Sequence, residues 1–211
     1  MENSPSNIPP QMKGQHSDNC YQVETESNEA ARHLFYMSAQ RLLDVNNWGE
    51  IAKGSPASFQ LTDSDGNEVQ GKARKGLFFQ IDLPAPGNDA GEGSDYVVIE
   101  SIEDNLADNE AQENYISIRV RPAPRPGSTA EEAAHFFTTA ATSNFIVHRK
   151  ANVVSACVMG RNEEPNNEET SMVDKIRNTL VATAAILGLA DMQWKALVKG
   201  IVGDTTDKGK D

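Results

Sequence analysis

The sequence places its most chemically capable polar cluster at Arg161, Asn162 and Glu163, with Asn166 close by. It follows a strand-like apolar run and precedes a long helical pattern. Arg161 and Glu163 can pair with Asp174 and Arg177 and so anchor the coming helix to the sheet. Alternatively, Arg161 and Asn162 form the polar mouth of a cavity, with Glu163 as an acid or base and Gly160 letting the chain turn. Tyr115, Ser117 and Arg119 recur at period two, and Arg121 continues their face. Planar guanidinium groups on one face can grip a carboxylate or phosphate bidentately, which makes Arg119 and Tyr115 ligand-binding candidates. A plain solvent-facing strand surface accounts for the same pattern.

His135 and His148 are the histidines to consider for proton transfer, since imidazole titrates near working pH. No Ser, Cys or carboxylate is tied to His135 by spacing. His148 and Cys157 invite a metal or nucleophile reading. A hairpin turning at Lys150-Ala151 sets His148 opposite Val153 and leaves about 13 Å to Cys157, so they cannot share an ion. A hydrogen-bonded strand histidine is the simpler account. Asp63-Ser64-Asp65-Gly66-Asn67 resembles the start of a calcium loop, but Gly66 is fourth rather than sixth and the distal Glu is absent. A hairpin turn is expected there, and the carboxylates of residues 87–95 lack ligand spacing. No metal site and no cofactor are expected. No phosphate-binding glycine loop, nucleophile elbow or H-E-x-x-H motif occurs.

The elements that must hold these groups are legible in outline. Residues 20–26 alternate as a first strand. Ser27 or Asn28 caps a helix in which Ala31, Leu34, Phe35, Ser38 and Leu42 recur at helical spacing. Trp48 and Ile51 plug the underside of the sheet from a short second helix. Strands follow at 58–62, within 69–83, and at 96–102, 115–120, 144–149 and 153–159. Asp65-Gly66 marks a turn, and Gly71 and Gly76 interrupt the second strand. Residues 128–142 read as either helix or strand, and a helical turn followed by extended chain is the preferred reading. Val173, Ile176, Leu180, Ala184 and Leu187 make one helical stripe. Gly188 divides it from a final stretch bearing Trp194, Leu197, Val198 and Ile201.

Composition sets the limits. The 211 residues carry a formal charge of −12, which repels nucleic acid and anionic membrane surfaces. No apolar run is long enough for a membrane span. Residues 1–19 are too polar to offset their ordering entropy and are expected to be disordered. Residues 20–203 form one domain and 204–211 a flexible tail. Cys20 and Cys157 belong to no C-x-x-C pair, so Cys157 is expected as a small buried hydrophobe. With no visible secretory signal, a reduced cytoplasmic protein is expected.

The fold class is therefore α+β: a curved antiparallel sheet of about six to seven strands with a long C-terminal helix packed across it. This order of elements over 20–203 resembles the helix-grip fold of the START-like superfamily, which includes polyketide cyclases and lipid-transfer domains. The resemblance is one of topology. It implies a cavity between sheet and helix that takes a small, largely apolar ligand. A cyclase, hydratase or isomerase working in that cavity, with His135, His148 or Glu163 as acid or base, is the second reading. A structural or interaction module meeting partners through its acidic surface or the Trp194 region is the third, and a homo-oligomer is compatible with all three.

Overall fold

A computed structural model describes residues 8–53, 57–82, 94–108, 111–128, 137–164 and 190–203. Their architecture is a seven-stranded, open antiparallel sheet in the order β1-β7-β6-β5-β4-β3-β2. The strands are β1 (Gln15–Glu24), β2 (Ser58–Thr62), β3 (Phe78–Asp82), β4 (Asp95–Asp104), β5 (Glu113–Pro122), β6 (Thr142–Lys150) and β7 (Val153–Glu163). Helix α1 (Asn28–Leu43), a 3-10 turn (Val45–Asn47) and α2 (Trp48–Ile51) separate β1 from β2. A C-terminal helix, α3, covers residues 190–202. The α+β class and the antiparallel sheet expected from the sequence are both present. The stripe at residues 173–187 lies outside the described residues, as does His135.

Helix α1 starts where the capping logic puts it. The Ser27 hydroxyl accepts the Ala30 N–H from an extended cap residue. Ala31, Phe35, Ala39 and Leu42 are buried on one side, at the spacing an amphipathic helix needs. α1 lies on β6 and β7.

The facing side of the sheet, called here the inner face, is set by register. It carries Val23 of β1, Val154, Ala156 and Val158 of β7, Phe145 and Val147 of β6, Ile116, Ile118 and Val120 of β5, and Phe79 of β3. Toward β2 an aromatic plug fills the space between layers. Trp48 is fully buried, with ring centroids 5.4, 5.7 and 4.8 Å from those of Phe59, Phe79 and Phe145. Its indole N–H reaches the carbonyls of Arg41 and Leu42 at 3.1 and 3.2 Å, so the polar edge of the ring is satisfied inside the core. Trp194 of α3 closes on Phe59 and Phe145.

Three expectations need correction. β1 begins at Gln15, inside the stretch that composition marks as disordered. Those residues lack apolar bulk, but from Gln15 to Glu24 they are ordered by pairing with the distant strand β7. The two cysteines are not thiols. Cys20 and Cys157 are directly opposed across that β1–β7 pairing and form a disulfide. Their separation of 137 residues hides this from any local motif. Finally, among the described residues of the run 69–83, only Phe78–Asp82 is a strand. Gly71 and Gly76, at φ 99° and 88°, take the chain through conformations open chiefly to glycine.

Candidate functional site

The β6–β7 hairpin turns at Ala151-Asn152, so His148 lies opposite Ser155 rather than Val153. Cys157 then pairs laterally with Ile146, two positions further along. The expected absence of a shared His148–Cys157 metal site rests more firmly on the disulfide than on distance. His148 Nε2 is 3.5 Å from Glu113, whose other oxygen binds Lys150 Nζ at 2.5 Å. Burial pushes the His148 pKa down, opposed by the Glu113 carboxylate. This group sits on the outer face, opposite the side on which α1 packs.

Tyr115, Ser117, Arg119 and Arg121 do share a face, and it is again the outer one. Arg119 and Arg121 converge on a single carboxylate, Glu100, at 3.3 and 2.6 Å. Arg121 also donates to the Thr139 carbonyl at 2.8 Å. At the centre of this face Asn144 is fully buried. Its amide donates to the Met159 carbonyl, while its Oδ1 has no partner among the described residues.

The Arg161-Asn162-Glu163 cluster is split by the backbone. Asn162 adopts φ 56°, and the β1–β7 register shifts between Gln15 and Ser17, the signature of a bulge with an extra residue on one strand. Arg161 turns outward and binds Asp18 Oδ1 at 2.6 Å. It also donates to the carbonyls of Gly160 and Ser17. Asn162 becomes a clamp on the N-terminal segment. Its Oδ1 accepts the N–H groups of Met12 and Lys13 at 2.8 and 3.2 Å, and its own N–H donates to Gln11 Oε1.

Glu163 turns the other way, onto the inner face. Its carboxylate lies directly over Gly160, where a Cβ would overlap Oε1 and crowd Ser17 Oγ. The Ser17 hydroxyl donates to Oε1 at 2.9 Å. Burial raises the Glu163 pKa, against the lowering effects of Ser17, Arg161 and His16. Among the described residues Glu163 forms no ion pair. Asn19, Ser143 and Val158 share its face in register with Ser17 and Gly160. This end of the inner face is thus small and polar, where the β2 end is aromatic and filled.

Of the described candidate residues singled out from sequence, only Glu163 faces the inner side. Arg161, Arg119, Tyr115 and His148 face outward, and Asn162 holds backbone. Sequence reasoning missed Ser17, which lies in a stretch with no hydrophobic pattern. It also missed Arg149, a 1% exposed guanidinium on the inner face. Arg149 is held by Asn114 Oδ1 and the carbonyls of Ala111 and Ala151, and burial lowers its pKa. These bonds tie the loop before β5 to the β6–β7 turn, which is a structural task.

No family model and no curated protein matches the chain. Among solved structures it is similar to a hypothetical protein of Helicobacter pylori, at 12% identity and TM-score 0.48, with 93% of each chain covered. It is also similar to norcoclaurine synthase from Thalictrum flavum, at 12% identity and TM-score 0.33, covering 93% of this chain and 100% of that one. A third likeness is Ara h 8.0201, at 12% identity and TM-score 0.33, covering 89% and 100%. Likenesses this distant carry no argument about what this chain does.

Proposed function

We propose that this protein binds a small, largely apolar molecule on the inner face of its sheet, at the end where β1 and β7 carry Ser17 and Glu163. The observation behind this reading is the change in character along that face. At the β2 end, the aromatic side chains of Trp48, Phe59, Phe79 and Phe145 pack against one another in the core. At the other end, Ser17, Ser143 and Gly160 are small, Val158 and Val120 supply apolar floor, and one partly buried carboxyl stands among them. Apolar walls with a few placed polar groups are the usual make-up of a ligand site.

An acid–base enzyme at the same place is favoured by one specific observation, the raised pKa of Glu163. Perturbed carboxyls concentrate at catalytic sites. The interaction-module reading loses one support, since Trp194 packs into the core against Phe59 and Phe145. The disulfide also bears on location. Such bonds persist in oxidising compartments and are rare in reduced cytosol, so we place the protein's work in an oxidising compartment, against the cytoplasmic expectation.

Native mass spectrometry of protein purified from its own host tests the binding reading. A co-purifying small molecule of constant mass is the expected result. Repeated recovery of clean apoprotein, together with no uptake of apolar probes, would overturn it.

A further inference from the structure

From the isolation of the Glu163 carboxyl we infer that the ligand carries a cationic head group, a protonated amine on an apolar body, seated against Glu163 and Ser17. This rests on the binding site proposed above and names its ligand class.

The argument is one of unpaired charge. A carboxylate drawn from water needs compensation, either from a cation or from several donors. Glu163 has one donor, the Ser17 hydroxyl at 2.9 Å. The nearest guanidinium, Arg161, is turned to the other side of the strand by the Asn162 bulge and is neutralised there by Asp18 at 2.6 Å. Lys13 is equally engaged, with Glu164 at 2.9 Å. His16, beside Ser17 in the chain, also acts on this carboxyl, and Arg149 lies at the opposite end of β6, with its donors occupied by Asn114, Ala111 and Ala151. The site therefore presents an acceptor with spare lone pairs, two serines and an apolar floor. Gly160 lets the carboxyl lie directly over the backbone, where a Cβ would overlap it. An anionic head group would meet repulsion here, and a neutral one would leave the charge uncompensated. An ammonium supplies charge and up to three donors at once. The formal charge of −12 also favours the approach of cations.

The test uses the full chain and three probes of equal length: n-octylamine, n-octanol and n-octanoate. Each is titrated by calorimetry near pH 7 against wild type and Glu163→Gln. The wild type should prefer octylamine over both others by at least about tenfold, the factor carried by one charge-assisted hydrogen bond worth about 1.4 kcal/mol. Glu163→Gln should bring the three affinities together. Equal affinities in the wild type, or an amine preference that survives in Glu163→Gln, overturn the head-group inference and leave the apolar site standing. Binding of none of the three overturns the site itself, and this inference with it.

A second measurement serves if Glu163→Gln does not fold. Octylamine stays charged throughout the acid range, so its affinity for wild type should fall as pH drops through the Glu163 pKa, while that of octanol stays level. His16, Asp18 and Arg161 also act on this carboxyl. The titration is therefore repeated in His16→Gln, and a fall that disappears in that background assigns the effect to His16 and refutes the inference.

Discussion

Removing the Cys20–Cys157 bond should lower stability substantially without unfolding the protein at room temperature. The bond closes a loop of 137 residues. Chain-entropy reasoning for a loop of that length gives about 5 kcal/mol, and measured native disulfides contribute roughly 2–4 kcal/mol. The lower range is the better expectation here, because β1 is also held by its backbone pairing from Gln15 to Glu24 and by the buried Val23. For a chain of this size, roughly 3 kcal/mol corresponds to a fall in Tm of about 6–12 °C. The assay is urea and thermal unfolding of three samples: oxidised wild type, wild type with reductant, and Cys20→Ser/Cys157→Ser. The last two should agree. The loss should also be local at first, with amide exchange in residues 15–24 speeding up before that in β4–β6. A thiol titration of oxidised, denatured protein that finds two free cysteines would refute the pairing. An unchanged midpoint on reduction would refute the energetic argument even if the bond is present.

Further outcomes follow from the geometry. Because burial raises the folded pKa of Glu163, the folded state holds its proton more tightly than the unfolded one. Its stability contribution is complete below the unfolded pKa and is lost as pH rises through the folded pKa. Glu163→Gln should accordingly melt higher than wild type at neutral pH, with the gap closing as pH falls through the carboxylate range. His148 behaves oppositely. Its lowered pKa means that acidification charges the unfolded state first, so His148→Gln should flatten the loss of Tm between neutral and mildly acid pH. Trp48→Ala should cost about 3–5 kcal/mol by emptying the aromatic plug, read by urea unfolding. Gly200→Ala should cost about 1–3 kcal/mol, because the new Cβ meets the Ile51 backbone carbonyl; Gly160→Ala meets only side-chain ends and should cost less while displacing the Glu163 carboxyl, visible as a loss of amine preference.

What could be read from the sequence was what local periodicity controls. Ser27 capped its helix, Tyr115 to Arg121 alternated as written, and Trp48 lay under the sheet, because each depends on residues within a turn or two. Contacts set by distant pairing escaped. The Cys20–Cys157 bond requires knowing that the first strand pairs with the last, and nothing near either cysteine encodes that. Ser17 was hidden for the same reason, since a polar edge strand gains its order from backbone partners far along the chain. The hairpin at Ala151-Asn152 differed from the expected turn by one residue, which moved the register by two. Side-chain facing survived that error, because strand facing has period two, while the lateral neighbours of His148 changed.

The bulge at Asn162 decides what the polar cluster can do. In a regular strand Arg161 and Glu163 would share a face and sit near enough to pair, giving an anchored but chemically quiet end to β7. One residue at φ 56° inserts an odd step, sends Arg161 to Asp18 outside and Glu163 to Ser17 inside, and leaves each charge with a different environment. The cost of the left-handed conformation is modest for asparagine, which tolerates it better than most residues. It is further offset by the hydrogen bonds that Asn162 makes to residues 11–13. The outer charge is satisfied within the described residues and the inner one is not. A partly buried carboxylate that the fold has separated from its sequence neighbour, rather than paired with it, is the feature on which the ligand assignment turns.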